Sequence, residues 1–255
     1  MIDKVGIIGV GHLATYLVEG LKRTSPDMKI ILSPRNYERA KHLATKFGAI
    51  IAKNNQELAD LTDLIILSTQ PMDAISAVEE IDFHQNHIVI SVVAGLSLDK
   101  LKPVMNPATL IRAMPISSAA INLSPTLLYP DNPQVRSLFT LLGEVLILPE
   151  ESLFTTATTI AAFYGWVYAL VNETINWTVQ KGVPYQIARK LVLKTINGAV
   201  EMSLDQSDQE ITAILETLTT KGGITQYGLK ILNQRNGLIA WKDALEAVFE
   251  KLCGS

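Results

Sequence analysis

Three short segments carry residue types that can do chemistry. The first, Gly9-Val10-Gly11-His12-Leu13-Ala14, fits G-x-G-x-x-G/A. Gly9 permits a tight turn, and Gly11 lets a pyrophosphate approach backbone where a Cβ would block it. Ala14 allows the following helix to pack close to the preceding strand. A helix opening at His12 and Leu13 would present free N–H donors and a positive dipole end to an anion. Taken alone this pattern occurs by chance. Here it follows the β-branched run Val5–Val10 and opens a helical stripe of Leu13, Leu17 and Leu21, which makes it a dinucleotide loop.

The second segment is Leu32-Ser33-Pro34-Arg35-Asn36, at the end of the next strand. An NAD-preferring site usually ends that strand in Asp or Glu, which accepts from the ribose 2′-hydroxyl. No acid is present. Ser33, Arg35 and Asn36 offer donors instead, and Arg35 is a planar fork suited to phosphate. This predicts NADPH, with NADH as the alternative and FAD open in principle. Asn36 also stands where an N-cap is expected. The third segment, Lys221-Gly222-Gly223-Ile224-Thr225, lies between two helical patterns. Read alone, its Gly-Gly pair is an ordinary helix–helix turn.

Strands and helices alternate around the first two segments. Lys29–Leu32, 49–52, 64–68 and 88–93 read as strands, then Thr109–Met114, Thr126–Tyr129 and 145–148. The runs at 64–68 and 88–93 are continuously apolar, as in strands covered on both faces. Ala40, Leu43, Ala44 and Phe47 form a helical stripe stopped by Gly48. Asn54 caps the next helix, with Glu57 reaching back. After Pro149 helical periods dominate, including Ile211, Ile214, Leu215 and Leu218, and then Trp241, Leu245, Val248 and Leu252. The expected fold is α/β: a doubly wound Rossmann-type sheet over 1–150, then a smaller all-helical domain over 151–255. That second part is small for a separate core and predicts completion by a second copy.

Composition narrows the rest. Of 255 residues, 48% are hydrophobic and 18% charged, and the net charge is −3, which describes a folded globular chain. No Lys/Arg run exceeds Lys22-Arg23, so a nucleic-acid partner is not expected. The single cysteine, Cys253, excludes an internal disulfide and points to a reducing, cytoplasmic setting. Thr155–Val171 is uncharged but shorter than the roughly 20 residues a bilayer requires. It reads as a buried helix at a domain or subunit interface and not as a membrane span. The four histidines, 12, 42, 84 and 87, read as loop or surface residues, and no metal site is expected.

Several segments together resemble pyrroline-5-carboxylate reductase over nearly the whole chain. Gly9–Ala14 is similar to that family's first motif, and Ser33-Pro34-Arg35 to the strand end that grips a 2′-phosphate. Ser68-Thr69-Gln70-Pro71 resembles its Lys-Pro step, with Gln70 in place of Lys. Ser91-Val92-Val93-Ala94-Gly95-Leu96-Ser97 is close to its fifth-strand motif, and Arg112-Ala113-Met114-Pro115 matches Arg-x-Met-Pro. Lys221-Gly222-Gly223-Ile224-Thr225 falls where the family has Pro-Gly-Gly-Thr-Thr.

The resemblance implies hydride transfer from NADPH to the C=N bond of a five-membered ring carboxylate, giving proline, and so a place in amino-acid biosynthesis. It implies cofactor contacts from Thr69, Gln70, Pro71, Ala94, Gly95, Met114 and Pro115. Gly222 and Gly223 become an anion pocket for the substrate carboxylate beside a helix N-terminus, with Thr225 donating to substrate and Lys221 a further contact. It also implies a homodimer or a ring of dimers.

The departures lie on the substrate side. Ile116 replaces the Asn of Arg-x-Met-Pro-Asn. Ala162-Phe163-Tyr164-Gly165-Trp166-Val167 stands where the family has Ser-Gly-Ser-Gly-Pro-Ala, and Ile224 replaces a Thr. A related imine or carbonyl reductase is one alternative, and a dinucleotide-binding regulatory protein that has lost activity is another. A hydroxyacid dehydrogenase is disfavoured, because its interdomain Lys would fall at Ala169.

Overall fold

The computed structural model describes residues 2–254. They form two compact units, one up to Thr158 and the other Thr159–Gly254. The first holds strands β1 (Lys4–Ile8), β2 (Lys29–Leu32), β3 (Ile50–Ile51), β4 (Leu64–Leu67), β5 (Ile88–Ser91), β6 (Thr109–Met114), β7 (Thr126–Tyr129) and β8 (Val145–Ile147). They make one sheet in the order β3-β2-β1-β4-β5-β6-β7-β8. Every neighbouring pair is parallel except β6–β7. The strand order reverses between β1 and β4, and such a switch point leaves a crevice at the carboxyl ends.

Alternation along the strands sorts the core into two layers. Val5, Ile7, Ile30, Leu32, Leu64 and Ile66 face one cluster, whereas Ile8, Ile31, Ile65 and Leu67 face the other. Helices α1 (His12–Thr24), α2 (Tyr37–Phe47) and α5 (Pro133–Thr140) cover the first side. Helices α3 (Asn55–Leu61) and α4 (Leu98–Met105) cover the second. All four residues of β4 are buried, as its unbroken apolar run predicts. The sheet is therefore doubly wound, and its interior strands have no solvent face.

Local signals explain several helix ends. Gly48 adopts φ +67° and closes α2. Asn54 Oδ1 accepts from the Glu57 N–H at 2.8 Å, and the Glu57 carboxylate accepts from the Lys53 N–H. That backbone bond holds the Glu57 carboxyl below its usual range, so the cap stays anionic at neutral pH. Asn36 departs from expectation. It occupies the N-cap position of α2 but makes no capping bond, and its amide donates instead to Val10 O at 3.1 Å.

His87 also departs from expectation. It is buried, accepting from the His84 N–H at Nδ1 (3.0 Å) and placing Nε2 3.1 Å from Ala59 O. Nε2 must then carry the proton, so neither ring nitrogen keeps a free lone pair for the nearby Asp63–His84 group.

The second unit contains the remainder of α6 (Phe154–Gln180), then α7 (Tyr185–Asp205), α8 (Ile211–Leu218), α9 (Ile224–Gln234) and α10 (Gly237–Cys253). Its buried apolar cluster is only Ile175, Ala188 and Val192. Helix α6 with its preceding turn is long and apolar enough to cross a membrane by length and composition. The expected burial of this segment is not supplied within the chain. Ile160, Tyr168, Leu170 and Trp177 are exposed.

One tight approach fixes where α1 lies. A Cβ on Gly20 would sit 2.0 Å from Ala119 O and 2.6 Å from Leu142 Cδ2. Alanine would normally improve a helix by about 1 kcal/mol over glycine. Here Gly20→Ala is expected to destabilise by about 1–3 kcal/mol through overpacking, read as a lower urea midpoint. An unchanged midpoint would show that α1 and the 117–121 turn can separate freely.

Candidate functional site

The carboxyl ends of β1, β2 and β4 meet at the switch point, and the glycine loop is built from their contacts. Gly9 has φ +92°, and a Cβ there would lie 2.7 Å from the backbone of Ser68 and Thr69. Only glycine satisfies both conditions. The loop is tied at three further points. Gly9 N–H donates to Ser33 Oγ at 2.9 Å, Asn36 Nδ2 donates to Val10 O, and Ser68 N–H donates to Ile8 O at 2.7 Å. Ser33 is therefore buried under the loop and supports it by accepting from Gly9.

Gly11 behaves differently. It is the N-cap of α1 with φ −97°, and a Cβ there would meet nothing within 4 Å. No side chain caps this end and its first turn holds no acid, so the leading N–H groups of α1, from His12 onward, stay free for an anion. Ala14 is fully buried behind it. His12 is exposed and lies 3.5 Å from Arg39.

Thr69 lies directly across from this cradle. Its Oγ1 is buried without a hydrogen-bond partner among the described residues. An orphaned buried hydroxyl is costly unless a ligand satisfies it. This hydroxyl, the open space over Gly11 and the uncapped helix fit a bound dinucleotide. Gln70 is exposed and Pro71 begins a short 3₁₀ turn to Asp73. Further along the same carboxyl edge stand Ala94 and Gly95 (φ +71°) after β5, then half-buried Met114 and buried Pro115 at the end of β6.

Beside the end of β2 lies a cavity of about 320 Å³, lined by Pro34, Arg35, Lys53, Asn54, Asn55 and Glu80 among others. Arg35 is exposed, and its Nη2 stands 3.2 Å from Asp73 Oδ1. Sequence reasoning missed Asp73, because it comes from the far side of the switch point and no motif marks it. It also gave no role to Glu151. That carboxylate accepts from buried Arg112 at 3.1 Å and from the Leu98 N–H at 2.8 Å, while Arg112 rests 4.5 Å over the Phe154 ring. The Arg of Arg112-Ala113-Met114-Pro115 thus anchors β6 and the start of α4.

Within the helical unit, the Lys221–Thr225 segment forms the turn into α9. Gly222 has φ +78°. Its N–H donates to Gln226 Oε1 and that of Gly223 donates to Thr220 O, both at 2.9 Å. The two glycine donors do not converge on an open point, contrary to the sequence argument. The free donors are those of the α9 N-terminus, starting at Ile224 and Thr225, which Gly223 cannot cap. Lys221, Ile224 and Thr225 are all exposed. Elsewhere in this unit, Phe163, Trp166 and Trp241 form an edge-to-face cluster with centroids 5.6–6.4 Å apart. Trp166, Leu170, Glu173 and Trp241 border a cavity of about 490 Å³.

Two family models match in succession: NADP oxidoreductase coenzyme F420-dependent over residues 4–95, and pyrroline-5-carboxylate reductase dimerisation over 151–253. The chain belongs to the pyrroline-5-carboxylate reductase family. It is 28% identical to pyrroline-5-carboxylate reductase 2 of Bacillus subtilis, across 90% of this chain and 86% of the relative. The structure of 1-pyrroline-5-carboxylate reductase from Streptococcus pyogenes superposes with a TM-score of 0.87 at 27% identity, covering 99% of this chain and 98% of that one. The Plasmodium falciparum pyrroline carboxylate reductase, solved with NADP bound, has the same fold. Its TM-score is 0.85 at 24% identity, with 98% of each chain covered.

The geometry separates residues that shape the loop from those that would touch cofactor. Gly11→Val should fold with an unchanged melting midpoint but lose the upward shift that NADPH gives the wild type. Thr69→Val removes an unpaired hydroxyl at nearly constant volume. It should be as stable as wild type or more so, yet bind NADPH about three- to tenfold more weakly by titration calorimetry. Full NADPH affinity in Thr69→Val would remove that hydroxyl from the site.

Proposed function

We propose that this chain is an NADPH-dependent reductase that converts 1-pyrroline-5-carboxylate to proline. The observation that carries the reading is the cradle at the switch point: an open Gly11, an uncapped α1 and the orphaned Thr69 hydroxyl together. Family membership supplies the reaction class, reduction of a C=N bond.

When bound, NADPH supplies the hydride that the imine carbon accepts, and the ring nitrogen ends as an amine. A protonated imine is already electrophilic, so the chain's work is orientation more than activation. The donors of His12 and Leu13 at the start of α1 hold the pyrophosphate. Thr69, Gln70 and Pro71, with Ala94, Gly95, Met114 and Pro115, would hold the nicotinamide half at the carboxyl edge. Arg35 faces the 2′-phosphate. The α9 N-terminus, with Gly222, Gly223 and Lys221 beside it, receives the substrate carboxylate, and Thr225 donates to the substrate.

In this reading residues 1–150 bind the dinucleotide, and 151–255 serve substrate and dimerisation. A homodimer, alone or in a ring of dimers, covers the exposed apolar faces of α6 and α7. Membrane and nucleic acid have no part in it, and the lone Cys253 fits a cytoplasmic setting.

The aromatic cluster of Phe163, Trp166 and Trp241 favours a second reading. Small residues at the first two positions would leave space that the rings now fill, so the substrate could be a different imine or carbonyl compound.

NADPH oxidation, followed at its absorbance with pyrroline-5-carboxylate and a panel of cyclic imines and keto acids, separates these readings. Turnover of pyrroline-5-carboxylate is expected. Turnover of another panel member alone would select the second reading, and tight binding with no turnover would mark a regulatory protein. Thr225→Ala should lower kcat/KM by roughly ten- to a hundredfold, the worth of one lost hydrogen bond in the transition state. Light scattering at micromolar concentration should give at least twice the 27.9 kDa chain mass, and a monomer would refute the dimer.

A further inference from the structure

The absence of an acid on β2 points to NADPH, yet the folded chain does hold an acid at that place. Asp73 reaches it from the turn after β4, with Oδ1 3.2 Å from Arg35 Nη2. Its side chain is 32% exposed, and among the described residues no donor meets its second oxygen, Oδ2. Arg35 also helps to line the 320 Å³ cavity beside the end of β2. One point on the molecule therefore carries a cation suited to a phosphate and a carboxylate suited to a hydroxyl.

We propose that Asp73 is a specificity-determining residue: it accepts a hydrogen bond from the ribose 2′-hydroxyl when NADH is bound, and so sets the balance between the two nicotinamide dinucleotides. This rests on the nicotinamide reading of the glycine loop. With a 2′-hydroxyl, Arg35 stays on Oδ1 and the hydroxyl donates to Oδ2. With a 2′-phosphate, the exposed ion pair opens easily and Arg35 turns to the phosphate. The Asp73 carboxylate then repels the phosphate and weakens NADPH binding relative to a site without it. The ion pair thus holds the arginine back for one cofactor and aims the acid for the other.

The test is titration of NADPH and NADH into the full-length protein and its variants at moderate ionic strength. Asp73→Asn should bind NADH about tenfold more weakly, the worth of a hydrogen bond to a charged acceptor. The same variant should bind NADPH as tightly as wild type or a few-fold more tightly. Arg35→Ala should do the reverse, weakening NADPH by about tenfold or more and NADH little. Opposite shifts of this kind cannot come from general loosening, and the melting midpoint of Asp73→Asn should match wild type because Arg35 is exposed and the amide keeps an oxygen to accept from it. Equal changes for both cofactors, or none in Asp73→Asn, would overturn the assignment of Asp73 while leaving the cofactor reading intact. Failure of the wild type to bind either dinucleotide would overturn both.

Discussion

The approach of β1 to β4 is the constraint on which the rest of this molecule depends. Where the two strands end, the backbone of Ser68 and Thr69 lies so close to residue 9 that even a methyl group would collide with it. Glycine at φ +92° is the solution, and the chain can then turn at once into α1. Because that turn is tight, the start of α1 stands directly over the switch point, uncapped and facing outward. The hydroxyl of Thr69 is placed by the same approach. An unsatisfied helix end and an unsatisfied hydroxyl are both unfavourable in isolation. Both stand at the switch point, where an anionic, hydrogen-bonding ligand would satisfy them.

The helical unit is governed by a different constraint. Five helices contribute to it, but Ile175, Ala188 and Val192 are the apolar residues they bury together. Burying a large apolar side chain contributes about 1.5–3 kcal/mol, so a cluster this small stabilises little by itself. The apolar residues left outside lie on all five helices, most of them on α6 and α7, within the region matched by a dimerisation model. A chain of this design obtains its second core by association, as obligate dimers do. The long apolar helix α6 suits a membrane span by length and composition alone. It is the stripe that a second copy would cover.

How much of this was legible beforehand depends on the range of the interactions involved. The alternating strands and helices were legible, because period-2 and period-3.6 patterns are local and β4 is apolar throughout. The Asn54 cap was legible for the same reason, because it acts on Glu57 three residues on, whereas Gly9 was marked by its motif although the backbone it must clear belongs to Ser68 and Thr69. The partners of Ser33, Asn36 and His87 were not legible, because they lie 24, 26 or 28 residues away. Nothing in the sequence around Asn36 distinguishes an amide that caps its own helix from one that ties down Val10. The Gly222-Gly223 pair failed differently. The glycines do make the turn, but Gln226 and Thr220 take up their N–H groups, so the free donors fall on the residues after them.

Cofactor preference shows most clearly what a strand-end rule leaves out. The rule inspects one strand because in many sites the acid happens to lie there, but the ribose responds only to what stands within hydrogen-bond reach. A carboxylate delivered from residue 73 is chemically the same acceptor as one delivered from residue 33. What differs is its neighbour. An acid on the second strand usually faces the ribose alone, whereas Asp73 already holds Arg35, so each group moderates the other. In the proposed arrangement the site would discriminate by a balance between two charges. Such a balance shifts with a single substitution on either side, while the glycine loop, fixed by backbone contact, stays unchanged.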